Sequence, residues 1–91
     1  MSIQVKSNGI VRVGFKPRSS VKKVLLACSF NQWEPIRLRK QKSGEYVANV
    51  QMPLGTHEYK FIVDDQWQVD PDNEVKVCNA FGAENSIVVV S

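Results

Sequence analysis

Apolar and polar residues alternate with a period of two along most of the chain. The alternation runs through residues 11–15, 46–52 and 59–63. Because successive side chains of a strand point to opposite faces, each run predicts a β strand with one buried face. The run 24–27 is apolar on both faces, which is typical of a central strand.

Turn-forming residues separate these runs. Proline, glycine, serine, asparagine and aspartate cluster at 17–20, 42–44, 53–55, 64–66 and 70–73. No segment shows a sustained helical period. The pattern predicts an all-β sandwich of two antiparallel sheets with seven to eight strands. We expect one domain over residues 1–91, with residues 1–8 as a candidate for disorder.

Composition narrows the class of protein. The chain has 91 residues and is 43% hydrophobic, which fits one small folded domain. The apolar run 24–28 is far shorter than the roughly 20 residues that cross a membrane. The first residues lack the apolar stretch of a signal peptide. We therefore expect a cytoplasmic protein that does not contact a membrane.

Charge adds little to this picture. The formal net charge is +3, from 12 basic and 9 acidic residues. The basic residues gather in the first half, where they flank turns and alternate with apolar strand residues. They are Lys16, Arg18, Lys22, Lys23, Arg37, Arg39, Lys40 and Lys42. This spacing favours a solvated face, and we expect no nucleic acid partner.

The sequence contains no recognisable metal-binding or cofactor-binding motif. Cys28 and Cys78 form no CxxC pair and His57 lies near neither in sequence, so zinc is not expected. A disulfide bond between the cysteines stays open, although a reducing compartment favours buried free thiols. The segment that begins at Asp70 does not match a calcium-binding loop, because Val75 occupies the position that requires glycine. A solvated turn is therefore favoured. We expect no cofactor.

The sequence also predicts no catalytic arrangement of side chains. Glycoside hydrolysis needs two carboxylates across a cleft, but Asp64, Asp65, Asp70 and Asp72 lie on turns of a chain too short to form a deep one. His57 follows a turn beside Glu58, and we interpret it as a structural or surface residue. The chain is therefore predicted not to be an enzyme.

Two tryptophans stand apart because each follows a polar turn. Trp33 follows residues 29–32 and Trp67 follows residues 64–66. Each could fold back onto the core, or could offer a flat apolar platform for a ligand such as a sugar ring. Sugar hydroxyls would then need hydrogen-bond partners. Lys60 points away from the core stripe of its strand, and Asn85 begins the last strand with both a donor and an acceptor.

Three segments together resemble carbohydrate-binding module family 48. Residues 29–33 read SFNQW and resemble the SFNxW turn of that family. Residues 53–71 resemble its long block LPxGxHxYKFxVDGxWxxDP, and residues 81–87 resemble its final loop leading into an asparagine and the last strand. The resemblance covers most of the chain from residue 10 onwards, and the shared order makes it far more specific than one motif.

The resemblance implies a fold, a ligand and a set of site residues. The family includes the glycogen-binding domain of AMP-activated protein kinase β subunits and the N-terminal domains of isoamylases and branching enzymes. It implies an immunoglobulin-like β-sandwich that binds α-1,4-glucan (glycogen, starch or maltooligosaccharide). By position, Trp33 and Trp67 would stack on sugar rings, Lys60 and Asn85 would hydrogen-bond hydroxyls, and Phe81 would replace an inserting leucine. A glycogen-metabolising enzyme or kinase is the implied protein partner, and a label of glycoside hydrolase family 13 would follow by association.

Three positions depart from the family. Cys28 replaces a glycine before the SFN turn, and Asp65 replaces the glycine of VDG, so we predict a positive φ at Asp65. Ala83 replaces a threonine that touches sugar in kinase members, which predicts weaker binding. A structural or protein-interaction module with a weakened sugar site therefore remains the alternative.

Overall fold

The chain folds into two antiparallel β sheets. The computed structural model describes residues 3–78 and 82–91, and within these residues we number ten strands. They are β1 (Ile3–Val5), β2 (Ile10–Phe15), β3 (Val24–Cys28), β4 (Ile36–Arg37), β5 (Arg39–Lys40), β6 (Tyr46–Gln51), β7 (Gly55–Val63), β8 (Gln66–Gln68), β9 (Lys76–Cys78) and β10 (Glu84–Val90). The all-β prediction is confirmed. The count of seven to eight is too low, because two-residue strands such as β4 and β5 are too short to show alternation.

Strand pairing defines the layers of the sandwich. The first sheet has the order β1-β2-β6-β5, and the second has the order β4-β3-β7-β10-β9, with β8 also paired to β7. Nine-residue β7 is the longest strand in the described residues. It pairs with β3 on one side and with β10 and β8 in succession on the other.

The core lies between the two sheets and follows the predicted apolar stripes. Val11 and Val13 of β2 are fully buried, as are Tyr59 and Phe61 of β7. The rings of Phe15 and Phe61 bridge the layers with centroids 5.0 Å apart. Burying one such side chain is worth about 1.5–3 kcal/mol, so this stripe supplies much of the stability of so small a domain.

The N-terminal segment extends the first sheet. Ile3–Val5 pairs antiparallel with residues 11–13 of β2, and the Lys6 N–H donates to the Ile10 carbonyl at 2.7 Å. Within the segment 1–8 that the sequence marked as a candidate for disorder, residues 3–5 form a strand, because the open edge of β2 offers them backbone partners.

The two cysteines differ in environment. Both are free thiols; Cys28 is buried in the core and Cys78 is exposed on β9. Burial raises the pKa of the Cys28 thiol, so it behaves as a small apolar side chain. The expectation of buried thiols is thus confirmed for Cys28 and wrong for Cys78, which lies at the edge of its sheet.

Asp70 lies in the interior, not in a solvated turn. Its side chain is fully buried, and its Oδ2 accepts a 2.6 Å hydrogen bond from the Tyr59 hydroxyl. The Asn73 amide donates to the same hydroxyl at 2.9 Å, and the Asp70 N–H donates to Ser86 Oγ at 3.3 Å. The prediction of a solvated turn is wrong for Asp70, because these polar partners replace water around its carboxylate.

Replacing Tyr59 with phenylalanine should destabilise the domain more than an ordinary hydroxyl deletion. Tyr59→Phe leaves the buried Asp70 carboxylate without this donor, so we expect a loss of about 2–3 kcal/mol in the free energy of unfolding. Tyr46→Phe is the control, since it removes one hydroxyl that donates to the Val21 carbonyl at 3.0 Å. Its cost should be about 1 kcal/mol. Urea denaturation measures both, and equal losses would contradict the role given to Asp70.

The same contact predicts a loss of stability at alkaline pH. Burial, and then the hydrogen bond to Asp70, raise the pKa of the Tyr59 phenol well above its ordinary value. Below about pH 10 the buried Tyr59 hydroxyl contributes fully to the free energy of unfolding, because the phenol is protonated in both the folded and the unfolded chain. Above that pH the unfolded chain releases its proton first, so the free energy of unfolding falls. Denaturation at increasing alkaline pH should show a shallower fall for Tyr59→Phe than for the wild type, and parallel curves would refute this assignment.

Candidate carbohydrate-binding face

The candidate site begins with the alternation of β7. His57, Tyr59 and Phe61 point into the core, so Glu58 and Lys60 point out of the sandwich on the other face of the second sheet. The side chain of Lys60 is partly exposed and forms no hydrogen bond or ion pair within the part of the chain that the structure describes. Its ammonium group is therefore available to a ligand. The predicted direction of Lys60 is confirmed.

Strand register brings the other predicted residues to this face. Trp67 of β8 lies opposite Ile62, and Ala27 of β3 lies opposite Lys60. Ser86 of β10 lies opposite Tyr59, so Asn85 is next to Lys60 along the paired strands. Residues opposite each other in an antiparallel pair share a face. Trp67, Lys60 and Asn85 therefore share the outer face of the second sheet.

Trp67 is presented by a tight hairpin. Asp64 and Asp65 connect β7 to β8 with φ values of 47° and 69°, as a two-residue turn with two left-handed positions requires. The predicted positive φ of Asp65 is confirmed. Asp64 Oδ1 accepts the N–H groups of Lys22 and Lys23 at 2.8 and 2.9 Å, which anchors the turn. The indole side chain beyond it is 57% exposed, so Trp67 does not fold back onto the core.

Trp33 is presented by a strained turn. β3 ends at Cys28, a 3₁₀ turn covers Ser29–Asn31, and both Gln32 and Trp33 then adopt positive φ of 60° and 63°. The Trp33 N–H donates to the Cys28 carbonyl at 3.0 Å and closes the turn. A left-handed backbone costs a bulky residue about 1–3 kcal/mol and often marks a functional position. The indole is partly buried, so Trp33 is a less open platform than Trp67.

Neighbouring side chains brace this turn against β7. Ser29 Oγ accepts the Glu58 N–H at 3.0 Å. The Phe30 ring meets the His57 ring edge-on with centroids 5.9 Å apart. His57 Nε2 lies 2.8 Å from the Pro53 carbonyl and the residue is buried, which agrees with its predicted structural role. The turn that carries Trp33 is therefore held to the strand that carries Lys60.

Asn85 is held in one orientation by a residue that sequence reasoning missed. Its side chain is 6% exposed, and its Nδ2 donates to Glu58 Oε1 at 3.1 Å. The described residues provide no donor to Asn85 Oδ1, and the register of β10 on β7 puts Asn85 next to the position of Lys60. Glu58 lies two residues before Lys60 on one strand, so its parity placed it on this face, but its contact with Asn85 depends on the register of β10. Sugar hydroxyls both donate and accept, and this pair of groups suits them.

The remaining predicted site residue lies elsewhere in the chain. Phe81 is outside the described residues, which omit 79–81. Across the described ranges, no cluster of three His, Cys, Asp or Glu side chains could hold a metal ion. The same residues include no helix with the length and apolar character that membrane crossing requires.

The sequence of this chain is similar to one known protein family and to several characterised proteins. A model of the family described as the glycogen recognition site of AMP-activated protein kinase matches residues 11–91. Over 69 residues, or 76% of the chain, identity is 41% to the β-1 subunit of 5'-AMP-activated protein kinase from Sus scrofa and 39% to that from Homo sapiens. Identity is 35% over 74 residues, or 80% of the chain, to Protein PTST homolog 2, chloroplastic, from Arabidopsis thaliana. The matched parts span 55%, 25% and 14% of these relatives.

Two solved structures share the fold. Maltogenic amylase from S. marinus matches with a TM-score of 0.74 at 20% identity, covering 100% of this chain and 15% of that one. Apo pullulanase from Paenibacillus barengoltzii matches with a TM-score of 0.62 at 16% identity, covering 97% of this chain and 14% of that one. These matches confirm the immunoglobulin-like sandwich. Because the family model spans nearly the whole chain and the kinase β subunits agree with it, this chain belongs to the glycogen-recognition domain family of AMP-activated protein kinase, within carbohydrate-binding module family 48.

Proposed function

We propose that this domain binds α-1,4-glucan on the outer face of its second sheet, with Trp67 and Trp33 as stacking platforms. The observation that carries the proposal is the exposed indole of Trp67 on one face with Lys60 and Asn85. Membership of a glycogen-recognition family supports glycogen or a related polymer as the ligand.

The exposed indole has a physical reason to take a sugar ring. Trp67 leaves more than half of its side chain in water, and one face of a glucose ring carries only C–H groups. Covering about 100 Å² of apolar indole surface is worth about 2–3 kcal/mol. Lys60 then donates to ring hydroxyls and Asn85 Oδ1 accepts from them, which offsets the desolvation of those hydroxyls.

Trp33 supplies the second platform in this proposal. Its turn follows directly from β3, whose Ala27 lies opposite Lys60, and the Trp33 N–H is bonded to the Cys28 carbonyl next to Ala27. The backbone strain at Trp33 supports a functional role, since a core tryptophan gains nothing from it. Phe81 remains a proposed contact on the basis of the family motif alone.

The shape of the surface favours a polymer over an enclosed small molecule. The hollows of the described surface include four of about 160 to 540 Å³, and none of these four is lined by Trp33, Trp67, Lys60 or Asn85. An open face with two platforms can lie along successive sugar units. On this face Glu58 is one carboxylate without a second across a cleft, so we propose binding without catalysis.

Association with a larger enzyme remains part of the proposal. Relatives include kinase β subunits, and the matched part is 55% or 25% of their length, so a kinase or glycogen-metabolising enzyme is a proposed partner. A structural or protein-interaction role with a weakened sugar site is the alternative, favoured by the partial burial of Trp33. A cytoplasmic location stays a prediction, and one relative carries "chloroplastic" in its name.

Removing either indole should abolish tight glucan binding while the fold survives. Loss of one stacking platform costs about 1–3 kcal/mol by analogy with stacking on bases, so Trp67→Ala or Trp33→Ala should weaken binding of maltoheptaose about 5- to 150-fold. Calorimetric titration measures the change. Leu54→Ala is the matched control, because Leu54 is 76% exposed and lies in the turn before β7 begins at Gly55. Wild-type protein that binds neither maltoheptaose nor β-cyclodextrin would refute the proposal.

Glu58 should act as a positioning residue for Asn85. Glu58→Ala removes the acceptor for Asn85 Nδ2, so the amide loses its orientation and maltoheptaose affinity should fall about 3- to 10-fold. Glu58→Gln keeps an acceptor oxygen and should restore affinity. Glu84→Ala, on an exposed side chain of β10, controls for the loss of one carboxylate. Equal weakening by the Ala and Gln variants would show that the charge of Glu58 matters instead of its hydrogen bond.

A further inference from the structure

Half of the basic residues of the chain gather at one edge of the sandwich. We call this the basic edge and define it by six exposed side chains: Lys16, Arg18, Lys22, Arg37, Arg39 and Lys40. The sequence pattern favoured a solvated face, because these residues are spread over 25 positions of the chain. Folding brings them around two neighbouring hollows.

The hollows are adjacent and contain no acidic group. One, of about 540 Å³, is lined by Lys22, Arg37, Arg39 and Lys40 above the buried Leu38 and Tyr46. The other, of about 370 Å³, is lined by Lys16, Arg18, Lys40 and uncharged residues. Lys40 and Tyr46 line both, so the two hollows adjoin, and we call them together the groove. No aspartate or glutamate lines either one.

The cations of the basic edge have no partners among the described residues. The ion pairs that the described ranges contain are Arg12 with Glu45 and Lys23 with Asp65, and neither includes a member of the basic edge. Six unpaired charges around one groove produce a positive potential. At physiological salt this potential extends about 8–10 Å before counterions screen it. The groove therefore attracts an anionic chain.

Two end strands meet at the same edge, and each has no strand partner on its outer side among the described residues. β4 is the last strand of the second sheet and β5 is the last strand of the first, with only Leu38 between them. The Leu38 N–H is bonded to the Val24 carbonyl, so the chain crosses between the sheets at a fixed point. Each strand pairs on one side only within the described residues. An extended peptide can add to such an edge through main-chain hydrogen bonds.

We propose that the basic edge docks an extended acidic segment of a partner polypeptide. Main-chain pairing along β5 would place alternate carboxylates of that segment against Arg39 and its neighbours. A nucleic acid fits less well, because the aromatic residue shared by both hollows, Tyr46, is 6% exposed and offers no stacking face. A membrane surface fits less well because Leu38 is 2% exposed and cannot insert. The outer face of β7 stays free, so glucan and peptide could be bound together.

Binding of a synthetic acidic peptide tests this proposal. The probe is a fluorescein-labelled peptide of alternating glutamate and threonine, measured by anisotropy at about 50 mM and 200 mM salt. Arg39→Glu should weaken binding about fivefold or more, and Arg37→Glu should do the same as a second variant. Lys6→Glu carries the same change in net charge on an exposed residue outside the groove, and should stay within about twofold of the wild type. Thermal unfolding confirms that each variant is folded.

Two sets of controls test whether the peptide binds through strand pairing and whether binding is specific for a peptide. The same peptide with alternate amides N-methylated should bind more weakly, because methylation removes the donors that an edge strand needs. Affinity for maltoheptaose should be unchanged in Arg39→Glu, which separates this site from the glucan face. The proposal is overturned if Lys6→Glu and Arg39→Glu weaken binding equally, if methylation has no effect, or if the peptide does not bind at low salt. Tighter binding of heparin, duplex DNA or vesicles containing phosphatidylserine than of the peptide would also overturn it.

Discussion

The alternation of side chains along β7 is the constraint on which the rest of the structure depends. Gly55–Val63 is the central strand of the second sheet, and its neighbours on both sides take their register from it. Tyr59 and Phe61 fill the core while Lys60 stands on the opposite face. A slip of one residue would exchange these two sets, burying an ammonium group and exposing two aromatic rings. The core and the candidate binding face are therefore established by one register.

A buried polar network connects the core to the end of the face. The Tyr59 hydroxyl donates a hydrogen bond to the Asp70 carboxylate and accepts one from the Asn73 amide. The Asp70 N–H donates to the Ser86 hydroxyl. Ser86 is the neighbour of Asn85 on β10. The turn after β8 and the beginning of β10 are thereby tied to the same residue of β7. A satisfied buried network of this kind holds strands in one arrangement, which a purely apolar contact does less specifically.

The two proposed binding surfaces of this domain lie on different parts of the sandwich. The sheet face provides indoles, a cation and an oriented amide, which suits a neutral polyhydroxylated polymer. The basic edge provides positive charge and two end strands, which suits an acidic extended chain. Because a sandwich has two solvent-facing sheets and open edges, a small domain can hold two ligands without enlarging its core. Such a domain could connect a glucan to another protein.

The local properties of the strands and turns were readable from the sequence. Alternation at 11–15 and 59–63 predicted the buried stripes, and the replacement of a turn glycine by Asp65 predicted the left-handed backbone there. The motif around Trp33 and Trp67 identified the family. These features depend on neighbouring residues alone, so a linear pattern contains them.

Relations between distant segments were decided only by the tertiary structure. The face that Trp67 occupies follows from its pairing with Ile62, and the contact of Glu58 with Asn85 joins residues 27 positions apart. Asp70 reads as a surface turn in the sequence, yet packing places it beneath Tyr59. Likewise, no spacing along the chain shows that Lys16 and Lys40 share a groove. The physical reason is that register and sheet edges are properties of strand pairs, and a single strand does not specify which partner lies beside it.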